Sequence, residues 1–278
     1  MANPILNEKA FNEAGKAGYA SGGWGPPQGS GGPVTGTRMS DGPISDWDSR
    51  RMTVEGTVSA TGVLFIVLLA AGVFGWSLVE TQETSAGEVV TAFPSWIIGA
   101  VLLGFGMVVL MRFKPQWAKY LGFGYAVVEG IVVGAISHSY EVYQNGIVIQ
   151  AVGATIAVFA VMLFLYRTRI IKVTNRMRRI VVGATMGIMV FYGISLLINL
   201  FGGNVGFLNS TSPLSIGFSF LVAGLAAFNL ALDFDFIDRG VKQGLPKQME
   251  WVAAVGLMVT IVWLYLEILR LLSKLNRR

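Results

Sequence analysis

Acidic residues inside long apolar segments are the groups of this chain best suited to carry chemistry. Glu129, Asp233, Asp235 and Glu267 each lie within or at the edge of an apolar run. A charged side chain at the centre of a membrane costs about 2.5–3.5 kcal/mol on insertion scales, so such a residue needs a specific role. Carboxyl groups in that setting bind protons or cations, and these residues are therefore candidates for an ion path or a proton sensor.

The spacing of basic residues supplies local partners for two of these acids. Arg270 follows Glu267 by three positions and Arg239 follows Asp235 by four, so each pair shares one helix face. Asp233 has no basic residue within one helical turn. Its ionised form therefore requires a partner from another helix or a water-filled pocket.

The other charged residues near the apolar runs differ in depth. Glu129 lies about midway along its run and should face the interior of a bundle, either as a transport group or as a structural polar anchor. Arg112 ends the second run and is the basic candidate. Glu55 and Asp238 lie at helix ends, where we expect them to reach headgroups or water.

The composition indicates a membrane protein. Of the 278 residues, 53% are hydrophobic and 13% are charged, and the mean hydropathy is +0.60. Soluble domains carry about 25% charged residues, so this chain has too few charges to cover a water-facing surface. The net charge of +5 lies mostly between apolar runs, where it sets topology. We therefore expect the lipid bilayer as a partner and no nucleic acid.

Several chemistries are excluded by the residue types that the sequence lacks. It has no cysteine and one histidine, His138, which excludes thiolate and histidine metal sites and haem ligation. We expect every lysine in a loop or terminus, so no retinal Schiff base is expected, and no GxxxxGK[ST] motif occurs. Ser219 follows Gly217 as in some serine proteases, but His138 lies at a helix end. We expect neither enzymatic activity nor a cofactor.

Seven apolar segments are each long enough to cross a bilayer, which takes about 20 helical residues. They are continuously apolar and do not alternate, which favours helices over barrel strands. Their approximate bounds are 54–76, 94–112, 117–137, 147–166, 180–200, 214–236 and 250–273. The sequence predicts an all-α polytopic membrane protein, with a seven-transmembrane-helix bundle over residues 53–278.

Residues 1–52 differ in composition from the rest of the chain. This segment is rich in Gly, Pro and Ser and has few aliphatic residues, so it buries too little apolar surface to offset its ordering entropy. It also lacks the basic start and apolar core of a signal peptide. We expect a disordered cytoplasmic tail.

Loop charges predict the orientation of the bundle. Basic residues cluster before the third, fifth and seventh spans, and the intervening loops contain only acidic charges. The positive-inside rule then places the N-terminus and the basic loops in the cytoplasm of a cell whose inner membrane holds the protein.

The basic C-terminus conflicts with this rule. Either packing holds the last helix across the membrane, or the helix is re-entrant. We favour the full span, because 251–272 is continuously apolar.

The residues named above, taken in order, resemble the Bax inhibitor-1 family, also called the transmembrane BAX inhibitor motif family, and more narrowly its bacterial YccA-like branch. The similarity covers about residues 52–273. It includes Arg112 after Met111, an aromatic and Gly-rich third span ending in Glu129-Gly130, the 232–237 stretch around Asp233 and Asp235, and the closing 264–272 stretch around Glu267.

This resemblance implies six helices around a central one and, for bacterial members, a pH-sensitive calcium leak channel. In such members an acid at the end of the sixth helix pairs with an acid in the seventh, and an Arg from the second helix engages the pair. The matching positions here are Asp235 or Asp233, then Glu267 and Arg112. The two aspartates point about 200° apart, so only one of them can join the pair.

Two contacting carboxyl groups titrate as a coupled pair, so this arrangement predicts a proton-dependent gate in which calcium is the permeating ion. The sequence leaves one alternative function open. The resemblance also covers non-transporting regulators that bind a membrane-bound quality-control protease, and a long flexible tail suits that role.

Overall fold

The computed structural model describes residues 51–83, 89–92, 96–203 and 206–277. Almost all of the predicted N-terminal tail lies outside these residues. The described chain forms the seven long helices that the apolar segments predict. They are α1 (Val54–Ser77), α2 (Ile97–Phe113), α3 (Ala118–Tyr143), α4 (Ile147–Arg167), α5 (Asn175–Leu200), α6 (Pro213–Lys242) and α7 (Gln248–Asn276).

Six of these helices are long and apolar enough to cross a membrane, and α2, with 17 residues, is the shorter apolar one. The predicted positions are confirmed, but several helices are longer than their apolar cores. The third continues to Tyr143 and the sixth to Lys242. Polar residues extend a helix beyond its apolar part when they bond along it, as Lys242 does with Asp238 four positions earlier.

Two small elements at one end of the bundle were not predicted. Between α1 and α2, strand β1 (Glu80–Glu83) pairs antiparallel with β2 (Val89–Ala92), and Glu80 lies opposite Ala92. A single helical turn, Gly206–Asn209, precedes α6. Both are too short to produce a periodic pattern in the sequence.

Side-chain caps fix the start of three helices. Thr53 accepts a hydrogen bond from the backbone N–H of Gly56 at 2.9 Å, and Thr174 caps α5 in the same way. Ser212 caps α6, whose first residue is Pro213. A hydroxyl cap satisfies one otherwise unpaired N–H, and proline at the first helical position needs no donor.

Helix α7 is the central helix of the bundle. It packs against α1, α3, α4 and α6, and it carries the longest series of buried residues of the described helices. Helices α2 and α5 lie at the periphery, where α2 packs mainly on α3 and α5 on α6. The structure therefore has a central helix, α7, but four helices pack around it and not the six that the resemblance implies.

Glycines bring α1 and α3 into close contact. A Cβ atom on Gly134 would overlap the backbone of Gly72, and one on Gly130 would overlap the backbone of Leu68. Gly75 stands in the same relation to Ile131. Small residues four positions apart let two membrane helices approach backbone to backbone, where van der Waals contact replaces the missing hydrophobic driving force.

The start of α1 is attached to the start of α7. Arg51 forms a β-bridge with Pro246, and the N–H of Met52 donates to Leu245 at 2.7 Å. Both the N–H and the hydroxyl of Thr53 donate to buried Glu250 at 2.9 Å. We call this side, which also holds the basic loops, the basic end, and the opposite side with the β-hairpin the hairpin end.

The last helix is continuous from Gln248 to Asn276 and runs from the basic end to the hairpin end. A re-entrant path is therefore absent from the structure. Its four packing partners hold this helix across the bundle even though its C-terminal charges favour the other side.

Candidate functional site

Polar side chains recur every seven residues on two helices that are mostly apolar between them. On α5 these residues are Arg178, Thr185, Tyr192 and Asn199, and on α7 they are Thr260, Glu267 and Lys274. Seven residues turn an α-helix through about 700°, or 20° short of two full turns, so each set lies along one face. Except for Asn199, which is exposed and donates to the Ser195 carbonyl of its own helix, these residues contact polar residues of α6 or of each other's helix.

We call the resulting interface the polar seam. Its side chains come from α5 (Arg178, Thr185, Tyr192), α6 (Ser215, Ser219, Asn229, Asp233, Asp235) and α7 (Thr260, Glu267, Arg270, Lys274). The seam runs from the hairpin end to the basic end. Five of these residues are buried and the others are partly buried, and placing so many polar groups between membrane helices is costly, which points to a function.

Glu267 lies at the centre of the hairpin-end half of the seam and is 1% exposed. Arg270 donates to both of its carboxylate oxygens, at 3.0 and 3.2 Å, which confirms the local pair expected from their spacing. Tyr192 of α5 donates to Glu267 at 2.9 Å and accepts from Arg270 at 2.6 Å. The guanidinium also stacks on the Tyr192 ring, 5.0 Å from its centroid.

Asp235 lies near the basic end of the seam. It forms the expected local ion pair with Arg239 and a second one with Arg178 of α5 at 2.8 Å. Two guanidinium groups from different helices therefore compensate this carboxylate, and they join α5 to α6.

The polar groups in the middle of the seam have fewer hydrogen-bond and ion-pair partners than those at its two ends. Asn229 of α6 donates to Thr185 of α5 at 2.8 Å. One turn further along α6, Asp233 lies beside Thr260 of α7, so its neighbour does come from another helix. In the part of the chain that the structure describes, the Oδ2 atom of Asp233 is buried and has no hydrogen-bond partner.

The expected contact between the acid of the seventh helix and an acid of the sixth is absent. Glu267 lies seven residues beyond Thr260, which is about 10 Å along the axis of α7, and Thr260 marks the level of Asp233. The carboxylates are held by separate partners: Glu267 by Arg270 and Tyr192, and Asp235 by its two arginines. The resemblance-based prediction of a contacting carboxyl pair is therefore not met in this conformation.

Arg112 does not reach the seam. It lies exposed in the last turn of α2 at the basic end, and α2 packs mainly on α3. Arg270 and Arg178 take the place that the resemblance gave to Arg112, because they lie on helices that contact the acids directly.

Glu129 lies on another side of the bundle, between α3 and α2. Its carboxylate faces Gly104 of α2, where an added Cβ atom would be in ordinary contact with it at 3.6 Å, and its hydrogen-bond partner is Tyr125 one turn earlier. It faces the interior as predicted, but it shares no contact with the polar seam.

Most seam residues were not site candidates in the sequence, Arg178 and Tyr192 among them. Arg178 belongs to a basic cluster whose charges suffice to set topology, and Tyr192 is one of eight tyrosines in the chain. A recurrence of polar side chains every seven residues, which begins two residues before the fifth apolar run, could have indicated them, because it marks one face of that helix.

Seven helices with a buried seam of charges define a multi-pass membrane protein whose interior carries polar groups. A family model described as Bax inhibitor 1 like matches residues 3–277, nearly the whole chain. The protein therefore belongs to the Bax inhibitor-1 family. The match begins well before residue 52, so the N-terminal segment is part of the family pattern. No curated protein matches the sequence.

Proposed function

We propose that this protein is a pH-sensitive leak channel for calcium, and that its closed state is the one described here. The observation that supports this most directly is the polar seam, which joins the two ends of the bundle through α5, α6 and α7. Lipid-facing helices need no such stripe, whereas an ion path through a membrane requires polar groups along its length.

The chemistry of the seam suits a cation. Carboxylate, carbonyl and hydroxyl oxygens are the ligands that calcium prefers, and the seam offers all three kinds. Asp233 is the strongest candidate for a cation ligand in the seam, because its Oδ2 atom is buried without a hydrogen-bond partner among the described residues. An ionised carboxylate in that position attracts a cation into the middle of the path.

The proposed pH dependence follows from the same carboxylate. When Asp233 is protonated it is neutral, and the seam stays packed without a buried charge. When it ionises, the uncompensated charge favours separation of the helices and entry of a cation. Flux should therefore rise with pH and fall on acidification. In this proposal the basic end faces the cytoplasm of a cell whose inner membrane holds the protein.

The test is calcium flux into proteoliposomes containing the purified protein, measured across a range of pH. Asp233→Asn should reduce the flux and flatten its pH profile, because the amide mimics the protonated acid. Asp238→Asn is the matched control: it lies on the same helix, but its carboxylate is exposed and paired with Lys242.

A wild-type pH profile in Asp233→Asn would exclude Asp233 as the proton sensor. A wild-type protein that passes no calcium at any pH would overturn the channel. In that case the non-transporting regulator of a membrane-bound protease is the function to test, by measuring proteolysis with and without residues 1–50.

A further inference from the structure

Lys274 is a buried cation at the hairpin end of the seam, and the proposed function does not use it. It lies in the last turn of α7 and is 4% exposed. A lysine is almost never fully buried unless it is paired with an acid. In the part of the chain that the structure describes, however, Lys274 forms no ion pair.

The ammonium group is held entirely by oxygen atoms of α6. It donates to the hydroxyl of Ser219 at 2.7 Å, to the hydroxyl of Ser215 at 2.8 Å and to the Ser215 carbonyl at 3.3 Å. Both serines are buried, at 0% and 1% exposure. We call these three oxygens the serine cradle. Neutral carbonyl and hydroxyl oxygens also coordinate metal cations in proteins.

The neighbouring charges do not neutralise Lys274. Arg270 lies one turn earlier on the same face of α7 and repels it, and Glu267 lies two turns earlier and is already paired with Arg270. From α6 only the serine oxygens bond to it. The hairpin end of the seam therefore carries one net positive charge inside the protein.

We propose that the ammonium group of Lys274 occupies a cation-binding cradle formed by Ser215 and Ser219, and thereby plugs the hairpin end of the seam. This inference rests on the proposed function for its effect on flux, but the cradle itself does not depend on it. A tethered ammonium competes with a permeating cation for the same oxygens and repels it at short range.

The first experiment compares calcium leak in proteoliposomes. Lys274→Met keeps a long unbranched side chain and removes the charge and the donors. It should raise the leak about ten-fold or more, because a unit charge about 4 Å from a divalent cation changes the occupancy of that site by at least this factor. Lys274→Arg should keep the leak low. Lys242→Met is the control, since Lys242 is exposed at the basic end and paired with Asp238.

The second experiment tests the cradle without flux. Thermal unfolding of the purified chain in detergent is followed with increasing calcium chloride, at constant ionic strength. Calcium should raise the unfolding temperature of Lys274→Met by more than that of the wild type, because a ligand that binds the folded state stabilises it and the vacated cradle adds a site. Adding Ser215→Ala and Ser219→Ala to that variant should remove the effect.

The outcomes separate the two proposals. Calcium stabilisation of Lys274→Met without leak in any variant supports the cradle and overturns the channel. A leak that depends on Asp233 but is unchanged in Lys274→Met, with no calcium stabilisation, overturns the plug and leaves the channel standing.

If Lys274→Met does not fold, Ser219→Ala in the wild-type chain replaces it. That variant loosens the ammonium and should raise the leak by a smaller factor, and an unchanged leak then also overturns the plug.

Discussion

Glu267 is stable in the bundle only because Arg270 and Tyr192 compensate it. Its side chain is 2% exposed and accepts three charge-assisted or phenolic hydrogen bonds. Removing one member of a buried ion pair leaves a charge without compensation, which costs about 3–5 kcal/mol. Arg270→Met should therefore lower the free energy of unfolding by about 3 kcal/mol, as measured by denaturant titration in detergent.

A double variant shows whether the lost stability comes from the unpaired charge of Glu267 or from the lost packing of the Arg270 side chain. Glu267→Gln combined with Arg270→Met removes both charges and should recover much of the lost stability, since neutral groups are cheaper to bury. Lys242→Met should change stability by no more than about 0.5 kcal/mol, because its ion pair is exposed. If Arg270→Met were as stable as the wild type, Glu267 would not depend on this pair.

Residue spacing predicted the local part of the site, and the tertiary part required coordinates. The pairs Glu267–Arg270 and Asp235–Arg239 follow from positions three and four apart on one helix, and both are present. The contact of Tyr192 with Glu267 joins helices 75 residues apart in the chain. No local rule specifies such a contact, because it depends on which faces of α5 and α7 meet.

At the scale of elements, the apolar segments predicted seven helices because an apolar segment within a bilayer must hydrogen-bond its own backbone. Hydropathy does not indicate which helix is central. The structure shows that α7 is the central helix, because its buried residues lie on nearly all of its sides. Helix α5 contributes only a polar stripe and a few apolar contacts, while residues such as Ile180 and Val190 remain exposed to the surroundings of the bundle.

The backbone contact between α1 and α3 leads to a prediction at this scale. A Cβ on Gly134 would enter the backbone of Gly72, and a backbone cannot move aside as a flexible side chain can. Gly134→Ala should therefore lower the free energy of unfolding by about 1–3 kcal/mol, the usual cost of overpacking. Thermal unfolding in detergent measures the loss.

Gly153→Ala in α4 is the matched control for that substitution. A Cβ there meets no atom within 4 Å, so alanine should be neutral or slightly stabilising as the better helix former. Equal effects of the two substitutions would show that helix propensity, and not the close approach of α1 and α3, decides the outcome.

At the scale of the whole molecule, the charge distribution and the packing make opposite demands on the C-terminus. The positive-inside rule draws Lys274 and Arg277 to the side of the basic loops, yet α7 ends at the hairpin end. The serine cradle resolves part of this conflict, because it accommodates one of these charges inside the protein. Four helices packed around α7 supply the rest.

This arrangement predicts opposite accessibility for the two ends of α7 in whole cells. The chain contains no cysteine, so single-cysteine variants report one position each. Asn276→Cys, at the hairpin end, should react with a membrane-impermeant maleimide added outside intact cells. Gln243→Cys, in the loop at the basic end, should react only after the membrane is permeabilised, because the basic loops are expected in the cytoplasm. Labelling of Gln243→Cys in intact cells would reverse the orientation, and labelling of neither position before permeabilisation would contradict a spanning α7.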